Sequence, residues 1–255
     1  MTVPSLAGAL APLVADPSGT VLLFDFDGTL APIVASPAAA RPAPGVVDLL
    51  DRLAERYRLV GTVSGRPVEF LAAHLPRSLV LSGLYGLESV VHGVHRVRPG
   101  VEQWRAPIRD VADRAEAARV EGLLVERKGL SVTLHFRSRP RAGAAVTRLA
   151  AELAELSGLE ARPAKMSAEL HPPVRSDKGL VVHELADGAR GVVYVGDDVG
   201  DLPAFAALAV LRAVGVTTVG VAVETPELPD AVRVAADLQV DGPVGVVGLL
   251  RVLLG

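Results

Sequence analysis

The feature that most constrains the fold is a repeated alternation of short apolar runs with longer stretches of helical spacing. Each run is nearly continuous in apolar side chains and is bounded by turn-forming residues, which is typical of parallel strands covered by helices on both faces. We therefore predict an α/β fold with a doubly wound, Rossmann-like parallel sheet. The runs occupy residues 21–24, 59–63, 79–81, 192–195 and 219–223, and helical stretches occupy 44–57, 67–75 and 178–187.

The pattern changes between residues 99 and 173, where a helix, two strands, a second helix and two further short strands follow one another. This segment begins at a Pro-Gly pair and ends at a Pro-Pro pair, and tight turns such as Lys128-Gly129 join its strands. We therefore predict an inserted α+β domain at residues 99–173 and a core domain made of residues 1–98 and 174–255.

The composition excludes several classes of protein. The chain has 255 residues and a formal net charge of −3, and no basic block with interleaved aromatic residues indicates a nucleic-acid partner. It contains no cysteine, which excludes disulfides, thiolate catalysis and cysteine metal sites. The longest uncharged stretch, residues 1–15, is too short to span a bilayer and lacks the basic start of a secretory signal. We predict a cytoplasmic monomer that binds neither nucleic acid nor membrane.

The segment VLLFDFDGTLAPI, residues 21–33, ends an apolar run with two aspartates separated by one phenylalanine. Side chains two apart in a strand share a face, so we expect Asp25 and Asp27 to point together while Phe26 turns toward the core. Ligands of open α/β sheets bind at this carboxyl edge. Because two adjacent carboxylates repel unless a cation lies between them, and because Mg²⁺ prefers oxygen ligands, the segment predicts a magnesium site.

A second acidic segment, VVYVGDDVGD at residues 192–201, has Asp197, Asp198 and Asp201 directly after another apolar run. The two segments are far apart in sequence, but the carboxyl ends of parallel strands lie at one edge of a sheet. We therefore expect both segments to reach the same Mg²⁺ ion. Loop or helix-capping aspartates are the alternative for either segment taken alone.

Two further segments offer groups that suit a phosphate. TVSGRP at residues 62–67 provides the hydroxyl of Ser64, an approachable backbone at Gly65 and the donor fork of Arg66. SDKG at residues 176–179 has Lys178 at a helix start, where its ammonium could contact both a phosphate and the carboxylate of Asp25. A plain strand-to-helix turn capped by Ser64 and a solvated surface lysine are the alternatives.

These four segments resemble, in order, the signature motifs of the haloacid dehalogenase-like phosphatases. The resemblance implies that Asp25 is the nucleophile that takes a phosphoryl group and that Asp27 is the general acid and base. It also implies that Lys178 and Ser64 hold the phosphoryl oxygens. The implied Mg²⁺ ligands are Asp25, the backbone carbonyl of Asp27, and Asp197, with Asp198 or Asp201 in support.

The inserted domain carries charged residues that alternate along its strands, in VERKGLSVTLHFR at 125–137 and AKMSAELHPP at 164–173. Such a face suits a hydroxyl-rich ligand, and a solvated outer sheet face is the alternative. These segments, together with SGLYGLE at 82–88, are similar to the trehalose-6-phosphate phosphatase family, in which such a domain is a cap that reads the sugar. The similarity implies substrate contacts from Arg66, Glu126, Lys128, Arg137, Lys165 and Glu169, and His135 is a further candidate.

The sequence departs from that family's pattern at two positions, with Gly200 in place of the usual threonine and Tyr85 in place of the usual histidine. The resemblance implies Mg²⁺-dependent hydrolysis of trehalose 6-phosphate through an aspartyl phosphate. Three alternatives remain open. They are a phosphatase for sucrose phosphate or mannosyl-phosphoglycerate, a phosphomutase, and a non-catalytic sensor of sugar phosphates.

Overall fold

The computed structural model describes residues 5–34, 36–164, 166–226 and 228–255. Its contacts divide the chain into two compact units. The described residues of Met1–Arg96 and Ser176–Gly255 form the core unit, and those of Val97–Arg175 form the inserted unit. The role of the inserted unit as a cap that reads the substrate stays a prediction.

The strands alternate with helices along the core unit, whereas the inserted unit has its own strands in antiparallel pairs. The strands are β1 Thr20–Phe24, β2 Leu59–Val63, β3 Val80–Gly83, β4 Glu88–Val91, β5 Val94–Val97, β6 Leu124–Arg127, β7 Val132–His135, β8 Glu160–Ala164, β9 Ser167–His171, β10 Gly191–Gly196, β11 Thr217–Glu224 and β12 Leu238–Asp241. The helices are α1 Leu6–Ala15, α2 Val46–Ala54, α3 Val68–Ala72, α4 Arg105–Ala117, α5 Gly143–Ser157, α6 Lys178–Leu185, α7 Leu202–Ala213, α8 Asp230–Ala235 and α9 Gly242–Leu254.

The core sheet has the strand order β12-β11-β10-β1-β2-β3-β4-β5. The pairings from β12 through β3 are parallel, and β4 runs antiparallel to β3. The strand β1 lies between β10 and β2, with Phe24 beside Val195 on one side and beside Thr62 on the other. The predicted doubly wound α/β class is confirmed.

Both faces of the core sheet are buried, which explains why its strands are continuous in apolar residues. Leu22 and Phe24 pack on one face in a cluster that includes residues of α1, α2 and α9. Leu23 packs on the opposite face, together with Val182 of α6 and Phe205 of α7. Among the described residues, none of the helices combines the length and the hydropathy that a membrane span requires.

Among the strands that the structure describes, three were not predicted from the sequence: β4 and β5, which form a hairpin, and β12. The hairpin turns at His92 and Gly93, which both have positive φ, and most of β5 is exposed. These strands have four residues each, and such short segments at or near a sheet edge carry little apolar patterning.

The sheet of the inserted unit has the order β6-β7-β9-β8 and two unlike faces. Val132, Leu134 and Leu170 lie on one face and pack with the apolar residues of α4 and α5. The cross-strand pairs Glu126 with Thr133, and Thr133 with Glu169, lie on the other face. Polar residues therefore alternate with core residues along these strands, as the sequence predicts.

Candidate active site

The predicted site residues of the core unit follow three neighbouring strands. Asp25 comes directly after β1, Ser64 after β2 and Asp197 after β10. The backbone continues the sheet at two of these positions, since Asp25 N donates to Val195 O over 2.8 Å and Ser64 N donates to Ser82 O over 2.9 Å. All three residues therefore lie at the carboxyl edge of the parallel sheet, where ligands of such sheets bind.

The two acidic segments contribute to one buried cluster. Carboxylate oxygens of Asp25, Asp197 and Asp201 lie within 4.8 Å of one another. The three residues are 5%, 1% and 0% exposed. Gly28, with φ +81°, lies against the Asp197 carboxylate, and any side chain there would overlap it. The folded chain thus collects carboxylates from distant parts of the sequence at one point.

Lys178 is the cation of this cluster. Its Nζ lies 2.7 Å from Asp25 Oδ1 and 2.6 Å from Asp201 Oδ1, and the residue is 3% exposed. Burial by itself would lower the pKa of Lys178, but Asp201 and Asp25 outweigh it and hold the pKa well above its usual range. Lys178 is therefore a buried ammonium, and the alternative of a solvated surface lysine is wrong.

Asp201 is occupied by protein donors on both of its oxygens. Its Oδ1 accepts hydrogen bonds from Tyr194 Oη and Lys178 Nζ, both at 2.6 Å. Its Oδ2 accepts from the backbone N–H groups of Asp197 at 2.9 Å and Asp198 at 3.0 Å. Since a carboxylate offers about four acceptor positions, we assign Asp201 to ordering the loop and holding Lys178.

The sequence analysis did not single out Tyr194. The available signal was one tyrosine in an otherwise aliphatic run that continues into aspartates, because a buried tyrosine hydroxyl usually has a partner. For Asp198, support of the metal stays a prediction. Its Oδ1 accepts from Gly200 N over 2.7 Å and caps the turn Val199–Asp201. Its side chain is not in the cluster found among the described residues.

The charge of this cluster suits a divalent cation. Burial raises the pKa of Asp25 to about 8, and the charges of Asp201 and Asp198 add to the shift, whereas Lys178 opposes it. An added cation would favour the ionised carboxylates. The available donors are all oxygens, which Mg²⁺ prefers. The residues present therefore fit a metal ion, and the roles of Asp25 and Asp197 as its side-chain ligands stay predictions.

Asp27 forms a two-pronged ion pair with Arg66. Arg66 Nε lies 2.6 Å from one carboxylate oxygen, and a terminal guanidinium nitrogen lies 2.7 Å from the other. The other terminal nitrogen donates to the carbonyl of Pro37 over 2.8 Å, and the guanidinium lies 4.5 Å from the centre of the Phe70 ring. Arg66 thus orients the Asp27 carboxylate, and its predicted contact with substrate stays a prediction.

Ser64 is buried and prepares the loop that follows β2. Its hydroxyl oxygen accepts a hydrogen bond from Arg66 N over 3.2 Å, so the hydroxyl proton can be donated to another acceptor. Gly65 lies between these two residues, and the ring of Tyr85 packs directly against it. A close backbone approach of this kind requires glycine.

In the inserted unit, the predicted sugar-contacting residues form a connected polar group. Lys128 Nζ lies 3.2 Å from Glu169 Oε1 and 4.0 Å from Glu126 Oε2. Glu169, only 2% exposed, also accepts from Ser131 Oγ over 2.9 Å. The alternative of a solvated outer face is therefore wrong for Glu169. Arg137, two residues beyond β7, is partly buried, and Lys165 lies outside the described residues.

Two histidines belong to the same group. His135 Nε2 lies 2.7 Å from Glu126 Oε2, and the buried His171 lies 3.3 Å from Glu169 Oε1. The sequence analysis did not single out His171, because no local pattern distinguishes it and only the folded strand brings its ring to Glu169. Burial by itself would raise the pKa of Glu169, but Lys128 and His171 hold it well below its usual range.

We expect Glu169→Gln to lower the free energy of unfolding at pH 7 by about 3 kcal/mol, since it leaves Lys128 without its buried partner. The pKa of Glu169 is depressed from 4.5, so its stabilising effect is present above that pH and is lost as the pH falls below it. Urea unfolding of the wild type and the variant, at pH 7 and below pH 4.5, measures the difference between their free energies of unfolding, which should be smaller at the lower pH. Glu116→Gln, which breaks an exposed pair with Arg127, is the control and should change little. If the difference in unfolding free energy stays the same at both pH values, Glu169 is not the ionised buried partner of Lys128.

A buried aspartate paired with a lysine beside an acidic cluster, at the carboxyl edge of a doubly wound sheet, is the arrangement predicted from the resemblance to the haloacid dehalogenase-like class. A family model described as Trehalose-phosphatase matches residues 23–242. The chain therefore belongs to the trehalose-phosphatase family.

Individual relatives agree with this assignment. Trehalose-phosphate phosphatases from Mycobacterium ulcerans and Mycobacterium avium are 34% and 32% identical over 208 and 202 residues, covering 73% of this chain and 51% of each relative. The C-terminal domain of Candida albicans trehalose-6-phosphate phosphatase superposes with a TM-score of 0.78 at 22% identity, covering 99% of this chain and 98% of that domain. This structural similarity to the Candida albicans domain shows that the two chains share a fold. The chain spans about half the length of the curated relatives it matches.

Proposed function

We propose that this protein is a Mg²⁺-dependent phosphatase that hydrolyses trehalose 6-phosphate to trehalose and phosphate. The observation that carries the proposal is the 2.7 Å contact between Asp25 and Lys178 inside the buried acidic cluster of a trehalose-phosphatase family member. We further propose that it acts as a cytoplasmic monomer on this small-molecule substrate.

The proposed reaction has two halves. Asp25 attacks phosphorus while the bond to the sugar oxygen breaks, and Asp27 gives its proton to that oxygen, so trehalose leaves and an aspartyl phosphate remains. Asp27 then accepts a proton from water, which attacks phosphorus, releases phosphate and regenerates the Asp25 carboxylate. Lys178 and Ser64 hold the phosphoryl oxygens. Mg²⁺ bound by Asp25, the Asp27 carbonyl and Asp197 would supply positive charge against the phosphoryl group.

A non-catalytic sensor of sugar phosphates has no need of these paired groups. Binding a phosphate requires cations and N–H donors, whereas a buried carboxylate facing the phosphate would oppose it. The presence of both Asp25 and Asp27 at the strand end, with Lys178 held against Asp25, therefore supports an enzyme over a sensor.

We expect Asp27→Asn to lower kcat by ~10²–10⁴-fold, because amide nitrogen and oxygen cannot transfer the proton in either half of the reaction. The fold should be retained, since Asp27 is partly exposed and its main partner, Arg66, keeps the Pro37 and Phe70 contacts. Steady-state phosphate release and a circular dichroism melt measure the two effects. Wild-type turnover by the folded variant would remove Asp27 from the mechanism.

A phosphate-release screen tests the substrate. Trehalose 6-phosphate, sucrose phosphate, mannosyl-phosphoglycerate and glucose 6-phosphate are compared, each with Mg²⁺ and with the metal chelated by EDTA. We expect the highest kcat/KM for trehalose 6-phosphate, and loss of that turnover with EDTA. Faster release from another ester would reject the substrate assignment while leaving the aspartate mechanism. Return of the phosphoryl group to the sugar without free phosphate would indicate a phosphomutase.

A further inference from the structure

The turn that follows β3 has an unusual backbone. Leu84 and Tyr85 are consecutive non-glycine residues with φ of 51° and 56°, in the left-handed region. A side chain with a Cβ is disfavoured there, and such residues persist where surrounding contacts determine the conformation. This turn lies outside the residues assigned to the reaction so far.

Several hydrogen bonds hold the turn in this conformation, and three of them join it to loops of the candidate active site. Leu84 N donates to Arg66 O over 3.0 Å, and Tyr85 N donates to Ser64 O over 2.9 Å. Ser176 Oγ donates to Tyr85 O over 2.5 Å, and Ser176 comes two residues before Lys178. The backbone of Tyr85 is therefore bonded to both the loop after β2 and the loop before α6.

The side chain of Tyr85 packs against Gly65 and faces a third loop. A Cβ placed on Gly65 would lie 2.7 Å from Cζ and Oη of the ring, so only glycine leaves the ring its present place. A Cβ placed on Gly200 would lie 3.7 Å from Cε1, on the opposite segment Val199–Asp201. The ring thus lies between the loop that carries Ser64 and the loop that carries Asp197 and Asp201.

We propose that Tyr85 is a positioning residue whose ring sets the spacing of the three loops that carry Ser64, Lys178 and Asp197. The proposal rests on the phosphatase function proposed above, because Tyr85 acts only through those groups. Phosphoryl transfer depends on alignment of the groups around phosphorus, and small displacements of such groups cost large factors in rate. Tyr85 therefore affects the phosphoryl step and not the recognition of the sugar.

The first test compares Tyr85→Ala, which removes the ring, with Tyr85→Phe, which keeps it. Both are assayed with trehalose 6-phosphate and with p-nitrophenyl phosphate, which has no sugar. We expect Tyr85→Ala to lower kcat by ~10–100-fold on both substrates, with a smaller change in KM, and Tyr85→Phe to lose less than ~3-fold. An equal loss in Tyr85→Phe would assign the effect to the hydroxyl. A loss confined to trehalose 6-phosphate would assign it to sugar recognition. Either result overturns the proposal.

The second test changes Gly65, the residue against which the Tyr85 ring packs. Gly65→Ala should displace the ring and lower kcat by ~10-fold in the wild type, yet by less than ~2-fold in the Tyr85→Ala background, where the overlap is gone. Gly248→Ala, whose Cβ would have no neighbour within 4 Å, is the matched control. If the losses in kcat of Gly65→Ala and Tyr85→Ala are additive in the double variant, the proposal is overturned. If Tyr85→Ala does not fold, an unchanged kcat in Gly65→Ala overturns it. If the wild type does not hydrolyse trehalose 6-phosphate, only the substrate assignment is refuted. The role of Tyr85 is then still measured from the turnover of p-nitrophenyl phosphate.

Discussion

Asp25→Asn should reduce phosphate release by on the order of 10⁴-fold or more, the largest effect expected from any single substitution in this protein. The amide has nearly the shape of the carboxylate, but its oxygen does not form an acyl phosphate with the substrate. Residual turnover is measured by phosphate release at high enzyme concentration. Trapping of a labelled phosphoenzyme in the wild type, and its absence in the variant, distinguishes loss of the nucleophile from loss of binding.

The same substitution should leave the fold intact. Asp25 lies in a buried cluster with Asp197 and Asp201, and burial already raises its pKa and favours its neutral form, so a neutral amide fits the same place. Lys178 keeps its contact with Asp201 at 2.6 Å. We therefore expect the midpoint of thermal unfolding to stay near that of the wild type. An inactive variant that has also unfolded would not support the nucleophile, whereas a folded variant with wild-type phosphate release would refute it.

Lys178→Met should affect both stability and catalysis. It removes the ammonium that lies between Asp25 and Asp201 and leaves two buried carboxylates without their cation. We expect the free energy of unfolding to fall by ~3–5 kcal/mol, the usual result of breaking a buried ion pair on one side. Loss of the cation that we propose to hold the phosphoryl oxygens should lower kcat by ~10²–10³-fold in the molecules that remain folded.

The control is an ion pair of similar length on the surface. Arg190 lies 2.7 Å from Asp16, but Arg190 is exposed and Asp16 is partly exposed, so Arg190→Met should change stability little. A double variant, Lys178→Met with Asp201→Asn, should recover part of the lost stability, because it removes one of the two uncompensated charges. Equal stability of Lys178→Met and wild type in urea would show that Lys178 does not neutralise the cluster.

The positions of the motifs could be predicted from the sequence because they depend on local patterns. Apolar runs of strand length, followed directly by aspartates or by Ser-Gly-Arg, indicate strands whose carboxyl ends carry polar groups. In a parallel sheet these ends lie on one edge whatever the distance in sequence. Asp25 and Asp197 are for this reason expected together, and their carboxylates do share one cluster.

The partners of individual side chains could not be predicted in this way. The sequence offers Asp198 and Asp201 equally as support for the metal. In the structure, Asp201 accepts hydrogen bonds from Tyr194 and Lys178, whereas Asp198 caps a turn. The distinction depends on the direction in which the chain leaves β10. Short edge strands such as β5 were missed for a related reason, since four residues carry too little periodicity to be recognised.

By itself, the sequence determined the α/β class, the strand ends that carry reactive groups and the kind of chemistry those groups suit, because hydrophobic periodicity and residue type are local properties of the chain. Only the tertiary structure decided that Arg66 forms an ion pair with Asp27 and that Glu169 is buried against Lys128. It also decided that the Tyr85 ring lies between Gly65 and Gly200. Such contacts join residues far apart in sequence, and their existence depends on distances of a few ångströms that packing of the whole unit sets.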